Sequence, residues 1–167
     1  MIQVYTGNGK GKTTAALGLA LRALGAGLKV YICQFLKGRP YCELATLKKL
    51  KNIKIEQFGR TCFIHKPPSK KDKESAKEGL RAAEKAILLQ RYDVVILDEI
   101  NVALKLELLK LTEVLNLMKN TPGKIELILT GRWAHPSIIK IADLVSEIRE
   151  IKHYYKKGIR ARKGIEF

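Results

Sequence analysis

Short, nearly uninterrupted apolar runs alternate along this chain with longer stretches in which apolar positions recur every three or four residues. The first kind reads as buried strands, the second as helices with one apolar face. Residues 2–5 (Ile-Gln-Val-Tyr) make the first strand. Residues 13–26 are rich in Ala and Leu and predict a well-buried helix, stopped by Gly25 and Gly27. A second strand covers 29–35, followed by a turn at 36–40, a short helix at 43–51 and an alternating third strand at 53–58. Residues 59–71, with Gly59, Pro67 and Pro68, form a loop of a length often tied to function.

Residues 72–90 predict a charged helix with Ala76, Leu80, Ala83, Ile87 and Leu88 on its apolar face. The run 93–99 is a buried strand that ends in two carboxylates, Asp98 and Glu99. A helix over 104–118, a turn at Pro122 and Gly123, and a strand over 126–130 follow. A short helix at 136–142 and a sixth strand at 143–148 lead into an irregular, basic segment, 149–167. Apolar strands that alternate with helices about six times indicate an α/β fold with a mostly parallel six-stranded sheet covered by helices on both faces. No linker or internal repeat interrupts the pattern, so residues 1–167 are expected to form a single domain with 149–167 as its basic tail. The order of the strands is not legible in the pattern.

Composition narrows the classes. At 167 residues, with 46% hydrophobic and 29% charged positions, the chain suits one folded domain rather than a disordered one. No apolar run nears the roughly 20 residues of a membrane span, and the N-terminus carries no secretory pattern. Cys33, Cys42 and Cys62 are odd in number and lack Cys-x-x-Cys spacing, so neither a disulfide framework nor a zinc knuckle is expected, and a reducing cytoplasm fits. The formal net charge is +16. It is compatible with a nucleic-acid partner, with attraction of a small polyanion, or with a lysine-rich surface that has no partner. Residues 48–85 and 149–163 hold 13 of the 16 excess charges, so the basicity is regional.

The sharpest chemical signal is Gly7-Asn8-Gly9-Lys10-Gly11-Lys12-Thr13-Thr14, between the first strand and the first helix. Glycines there let backbone N–H groups turn inward around phosphate oxygens, and the helix N-terminus adds partial positive charge. Lys12 reaches a phosphate as a point charge, and Thr13 offers a hydroxyl to Mg2+. The usual phosphate-loop spacing puts glycine where Thr6 stands, with Gly7 one place later. At the end of the 93–99 strand, Asp98 or Glu99 is the expected magnesium carboxylate, with the choice between them open. Arg132, after the 126–130 strand, either faces phosphate or structures its loop, since ligands bind at strand C-termini in such sheets. His65, His135 and His153 are not spaced for a metal site or a triad. These residues describe a magnesium-nucleotide protein whose reaction is open.

The sequence as a whole resembles one family. Residues 7–16, Gln34-Phe35-Leu36-Lys37-Gly38, Leu97-Asp98-Glu99-Ile100-Asn101, Thr130-Gly131-Arg132, Ala142-Asp143-Leu144-Val145-Ser146-Glu147 and the ending from Lys152-His153 to Gly164-Ile165-Glu166-Phe167 occur in order. Together they are similar to the ATP:corrinoid adenosyltransferases of the phosphate-loop, RecA-like type. The resemblance implies transfer of the 5′-deoxyadenosyl group of ATP to the Co(I) of a corrinoid, with release of inorganic triphosphate. Co(I) is itself a strong nucleophile, so the protein's tasks become positioning and stabilisation of the leaving triphosphate. The resemblance also implies that ATP lies reversed in the loop. Asn8 and Arg22 would approach the nucleoside. Gly7, Gly9, Lys10, Gly11, Lys12 and Thr13 would hold the triphosphate, with Thr14 in the same stretch, and Thr13 and Glu99 would serve magnesium. Lys12, Thr13 and Glu99 are the expected catalytic set.

Two departures from the family pattern stand out. Several members carry a segment before the first strand that helps cover the site, so closure here is expected to come from elsewhere. In better-known members the loop after the third strand carries Phe and Trp that displace the lower cobalt ligand, which makes the cobalt easier to reduce. Here that stretch has Phe63, next to Cys62, and no Trp. Those two are the expected corrinoid-facing residues. The resemblance further implies a homodimer. The positive charge outside the loop suits either attraction of an acidic, flavoprotein-like reductase or a lysine-rich surface with no partner, and neither nucleic acid nor membrane is expected as partner. A phosphate-loop ATPase or small-molecule kinase is the alternative.

Overall fold

The computed structural model describes residues 1–60 and 67–167. Six strands form one sheet: β1 (Ile2–Thr6), β2 (Val30–Phe35), β3 (Ile53–Phe58), β4 (Val94–Asp98), β5 (Glu126–Thr130) and β6 (Leu144–Glu147). Their order is β3-β2-β4-β5-β1-β6, and every neighbouring pair is parallel. The helices are α1 (Lys12–Gly25), α2 (Cys42–Leu47), α3 (Lys70–Leu88), α4 (Ile100–Lys105), α5 (Leu111–Lys119) and α6 (Pro136–Ile141), with a 3-10 turn at Tyr154–Lys157. The α/β expectation and the six-strand count hold, and the sheet is parallel throughout.

Period-two alternation divides the central strands between two cores. Val30, Ile32, Val94, Ile96 and Ile128 pack against α1, which presents Ala16, Ala20 and Ala23 on one stripe. Tyr31, Cys33, Phe35, Val95, Leu97, Leu127 and Leu129 face the other layer, where α3, α4 and α5 lie. Small side chains on α1 let its backbone approach the sheet closely, which holds the helix N-terminus at the C-terminal end of β1.

The structure corrects several boundaries. The expected helix over 104–118 is two helices. Glu107 adopts a left-handed backbone (φ 55), and the break buries Leu108 and Leu109. Lys110 then restarts the helix, its N–H donating to the Glu113 carboxylate at 2.9 Å. Leu88 lies on the exposed side of the end of α3 rather than in its apolar face. β4 stops at Asp98 because Glu99 is also left-handed (φ 64). The basic tail, 149–167, has only the 3-10 turn as regular structure, and its end folds back onto the loop between β1 and α1. Among the described residues no helix is long and apolar enough to cross a membrane.

Candidate active site

The loop between β1 and α1 has a fixed shape. Gly7 takes a positive φ of 95°, and a side chain there would collide with the Ile148 carbonyl. Gly9 N–H donates to that same carbonyl at 2.7 Å. The odd spacing at the start of the loop now has a reason. Thr6 remains in β1, in register with Glu147, and its Oγ1 accepts from Ala134 N–H at 3.2 Å. The turn therefore begins one residue later than in the usual pattern.

Lys12 is buried at the first position of α1. Its ammonium donates to the carbonyls of Gly7 at 2.8 Å and Gly9 at 2.7 Å. Burial pushes its pKa below the ordinary lysine value, Glu99 partly offsets that, and Arg132 reinforces it. Gly11 caps the helix in a left-handed conformation (φ 118). Asn8, Lys10 and Thr14 are exposed, and Thr13 is half-buried.

Asp98, 1% exposed, is the hub of the site. Its Oδ1 accepts from Thr13 at 2.9 Å and from Thr130 at 2.7 Å. Its Oδ2 accepts from Lys37 at 2.7 Å and from Gln34 at 3.1 Å. Four donors saturate the carboxylate. Burial would raise its pKa, but the Lys37 charge and these hydrogen bonds hold it below the ordinary aspartate value. The same pairing keeps Lys37 charged despite burial. Gln34 is fixed in turn by Gln57, which donates to its Oε1 at 3.1 Å.

Glu99 differs from its neighbour. The left-handed turn separates the two side chains, and the Glu99 N–H donates to Thr130 Oγ1 at 3.0 Å. No described residue donates a hydrogen bond to its carboxylate. Burial raises its pKa, Asp98 adds to that, and Lys37, Lys12 and Arg132 oppose it. Among the described residues no three His, Cys, Asp or Glu side chains form a metal cluster. The Thr13 hydroxyl and the Glu99 carboxylate are nonetheless hard oxygen donors, the set that suits Mg2+ when substrate phosphates complete its shell.

The structure thus gathers Lys12, Thr13, Asp98, Glu99 and Arg132 at the C-terminal ends of β1, β4 and β5. Arg22 lies ten residues beyond Lys12, about 15 Å along α1, exposed on the helix's last turn. Phe63 and Cys62, the corrinoid-facing pair, lie outside the described residues. Pattern reading assigned no role to Lys37, Gln34 or Thr130. Gln34 carried a signal, a completely buried amide inside an otherwise apolar strand.

Known proteins resemble this chain along its whole length. The family model described as ATP:corrinoid adenosyltransferase BtuR/CobO/CobP matches residues 1–167. The corrinoid adenosyltransferase of Pseudomonas aeruginosa is 35% identical over 169 residues, covering 100% of this chain and 83% of that protein. That of Escherichia coli is 34% identical over 167 residues, covering 100% and 85%, and that of Salmonella typhimurium 35% over 168, with the same coverage. Among solved structures, a KaiC-like protein from Pyrococcus horikoshii has a TM-score of 0.57 at 21% identity, over 90% of this chain and 74% of that one, a likeness of fold. With a match along its entire length, the chain belongs to the ATP:corrinoid adenosyltransferase family.

Proposed function

We propose that this member of the corrinoid adenosyltransferase family holds the triphosphate of ATP in its 7–14 loop while a reduced corrinoid, the second substrate, attacks the ribose. The electron pair of Co(I) forms the cobalt–C5′ bond. The C5′–oxygen bond breaks with its pair on the oxygen, and inorganic triphosphate leaves. No proton moves in this step, so the side chains contribute position and charge. The observation that carries the reading is the meeting of Lys12, Thr13 and Glu99 around a phosphate loop in a chain matched by the family from end to end.

Lys12 and the loop N–H groups stabilise charge on the departing triphosphate. Thr13 and Glu99 would hold Mg2+, which supplies further neutralisation of that charge when bound. Asp98 is saturated by four protein donors, so it serves by orienting Thr13, and the carboxylate for the metal is Glu99. In this reading Arg132 flanks the leaving group and Asn8 approaches the nucleoside, whereas Arg22, exposed on the last turn of α1, stands apart from the gathered residues. A homodimer in the cytoplasm, supplied with electrons by a flavoprotein-like reductase, completes the reading.

The test is incubation of the protein with ATP, Mg2+ and chemically reduced cob(I)alamin. The expected products are adenosylcobalamin, seen by its absorption spectrum, and triphosphate. ADP without alkylation of cobalt would return the chain to the kinase or ATPase alternative, which the comparisons do not favour.

A further inference from the structure

The ending Gly164-Ile165-Glu166-Phe167 has no part in the chemistry described so far, yet it touches the phosphate loop. Lys10, in the middle of that loop, sends its ammonium toward the tail. It donates to the Tyr154 hydroxyl at 3.1 Å, the Ile165 carbonyl at 2.9 Å and Glu166 Oε1 at 3.1 Å. An ammonium has three N–H donors, and all three are used.

The receiving end is itself built. Glu166 accepts from the Arg162 backbone N–H at 2.6 Å and from the Arg162 guanidinium at 3.2 Å. It also accepts from the Tyr154 hydroxyl. The Arg162 guanidinium lies 4.8 Å from the centre of the Tyr154 ring. The backbone closes on itself, with Glu166 N–H donating to Arg162 O at 3.0 Å and Gly164 N–H to Phe167 O at 2.7 Å. A lysine on a glycine-rich loop would otherwise sample many rotamers, since its side chain carries among the largest conformational entropies. Here three acceptors of the tail hold the end of an otherwise exposed side chain. The loop's own backbone is already held by Ile148 and by Lys12, so the tail's specific effect falls on the Lys10 charge.

We propose that Glu166 is a positioning residue for adenosyl transfer, fixing the Lys10 ammonium beside the phosphate loop so that its charge acts on the triphosphate without rearrangement. A preorganised charge stabilises a leaving anion better than a mobile one of the same sign. The proposal rests on the reading that the 7–14 loop holds the triphosphate.

The experiment compares wild type, Glu166→Gln, Lys10→Met and the double variant. ATP affinity is measured calorimetrically without corrinoid, and kcat/KM for ATP with reduced cob(I)alamin. Each single change is expected to lower kcat/KM about tenfold, the double being no worse than the poorer single, as required of residues acting as one unit. Tyr154→Phe, which removes one acceptor and leaves the carboxylate, is expected to give a smaller loss that vanishes in the Lys10→Met background. Additive losses would overturn the proposal. So would tighter ATP binding by Glu166→Gln, which would make the carboxylate a competitor of the nucleotide. Lys12→Ala in the same assays separates the two levels. Intact ATP binding in that variant removes the loop reading itself, whereas lost binding there with an unaffected Glu166→Gln removes the positioning role alone.

Discussion

Thr13 Oγ1 donates to Asp98 Oδ1 at 2.9 Å, so the first hydroxyl of α1 is oriented by a carboxylate 85 residues away in sequence. The hydroxyl's proton is committed to Asp98, while its oxygen accepts from Lys37 at 3.5 Å. Asp98 can do this because Lys37, 2.7 Å from its other oxygen, keeps it ionised in a buried position. Replacing Asp98 by Asn breaks the pair from one side. The amide has a single acceptor oxygen for four donors, and Lys37 is left charged and buried without its partner. Loss of one member of such a pair costs about 3–5 kcal/mol, roughly 10 °C in melting temperature for a chain of this length. Thermal unfolding followed by circular dichroism measures it. The double variant Asp98→Asn, Lys37→Met removes the stranded charge and is expected to recover most of the loss.

Lys12 lies within hydrogen-bond reach of two loop carbonyls and carries one of the site's two buried positive charges, Lys37 carrying the other. Lys12→Ala is expected to reduce kcat/KM for ATP by about a hundredfold or more, the scale of losing one charge-stabilising donor. The fold should survive, since the loop remains tied to Ile148. A steady-state assay paired with a melting curve distinguishes lost chemistry from lost structure. Turnover at the wild-type rate would exclude the loop as the phosphate site.

Local features of this site are legible in the sequence. The Gly-Lys-Thr stretch before an Ala-rich helix, and two carboxylates closing an apolar run, each declare themselves within about ten residues. What joins them is not. Lys37 meets Asp98 only because β2 and β4 are neighbours in the sheet, and strand order leaves no trace in a hydrophobic pattern. Lys10 meets Glu166 across 156 residues. The helix pattern over 104–118 gave no warning of the break at Glu107, because apolar periodicity continues through Leu106, Leu108 and Leu109 and the gain from burying the last two outweighs helix continuity.

Glu56, on the edge strand β3 four places from β1, supplies a pH prediction. Its Oε2 accepts from the buried Tyr31 hydroxyl at 2.7 Å and pairs with Lys54 at 3.0 Å. Partial burial opposes ionisation, but these partners win and hold its pKa below the ordinary glutamate value. A carboxylate whose folded pKa is depressed binds fewer protons in the folded state than in the unfolded one. Its contribution is therefore complete above the unfolded value and lost as pH falls through the folded one. Glu56→Gln is expected to unfold at lower urea than wild type at pH 6, with the gap narrowing below about pH 4.5. A gap that stays constant across that range would show that the Glu56 charge contributes nothing.

Gly9 lies directly against the start of the tail. A Cβ at this position would lie 2.8 Å from the Arg149 backbone and equally near the Ile148 carbonyl. These are backbone atoms, so no side-chain rotation relieves the contact, and the tail must shift. Overpacking of this kind costs about 1–3 kcal/mol, and it also stretches the 2.7 Å hydrogen bond from Gly9 to Ile148. Gly9→Ala is therefore expected to weaken ATP binding several-fold through displacement of the loop, with a modest drop in melting temperature. Because the tail moves with the clash, limited proteolysis should cut after the lysines and arginines of 156–163 sooner in the variant than in wild type. Identical cleavage rates with weakened ATP binding would place the effect in the loop alone, independent of the segment packed against it.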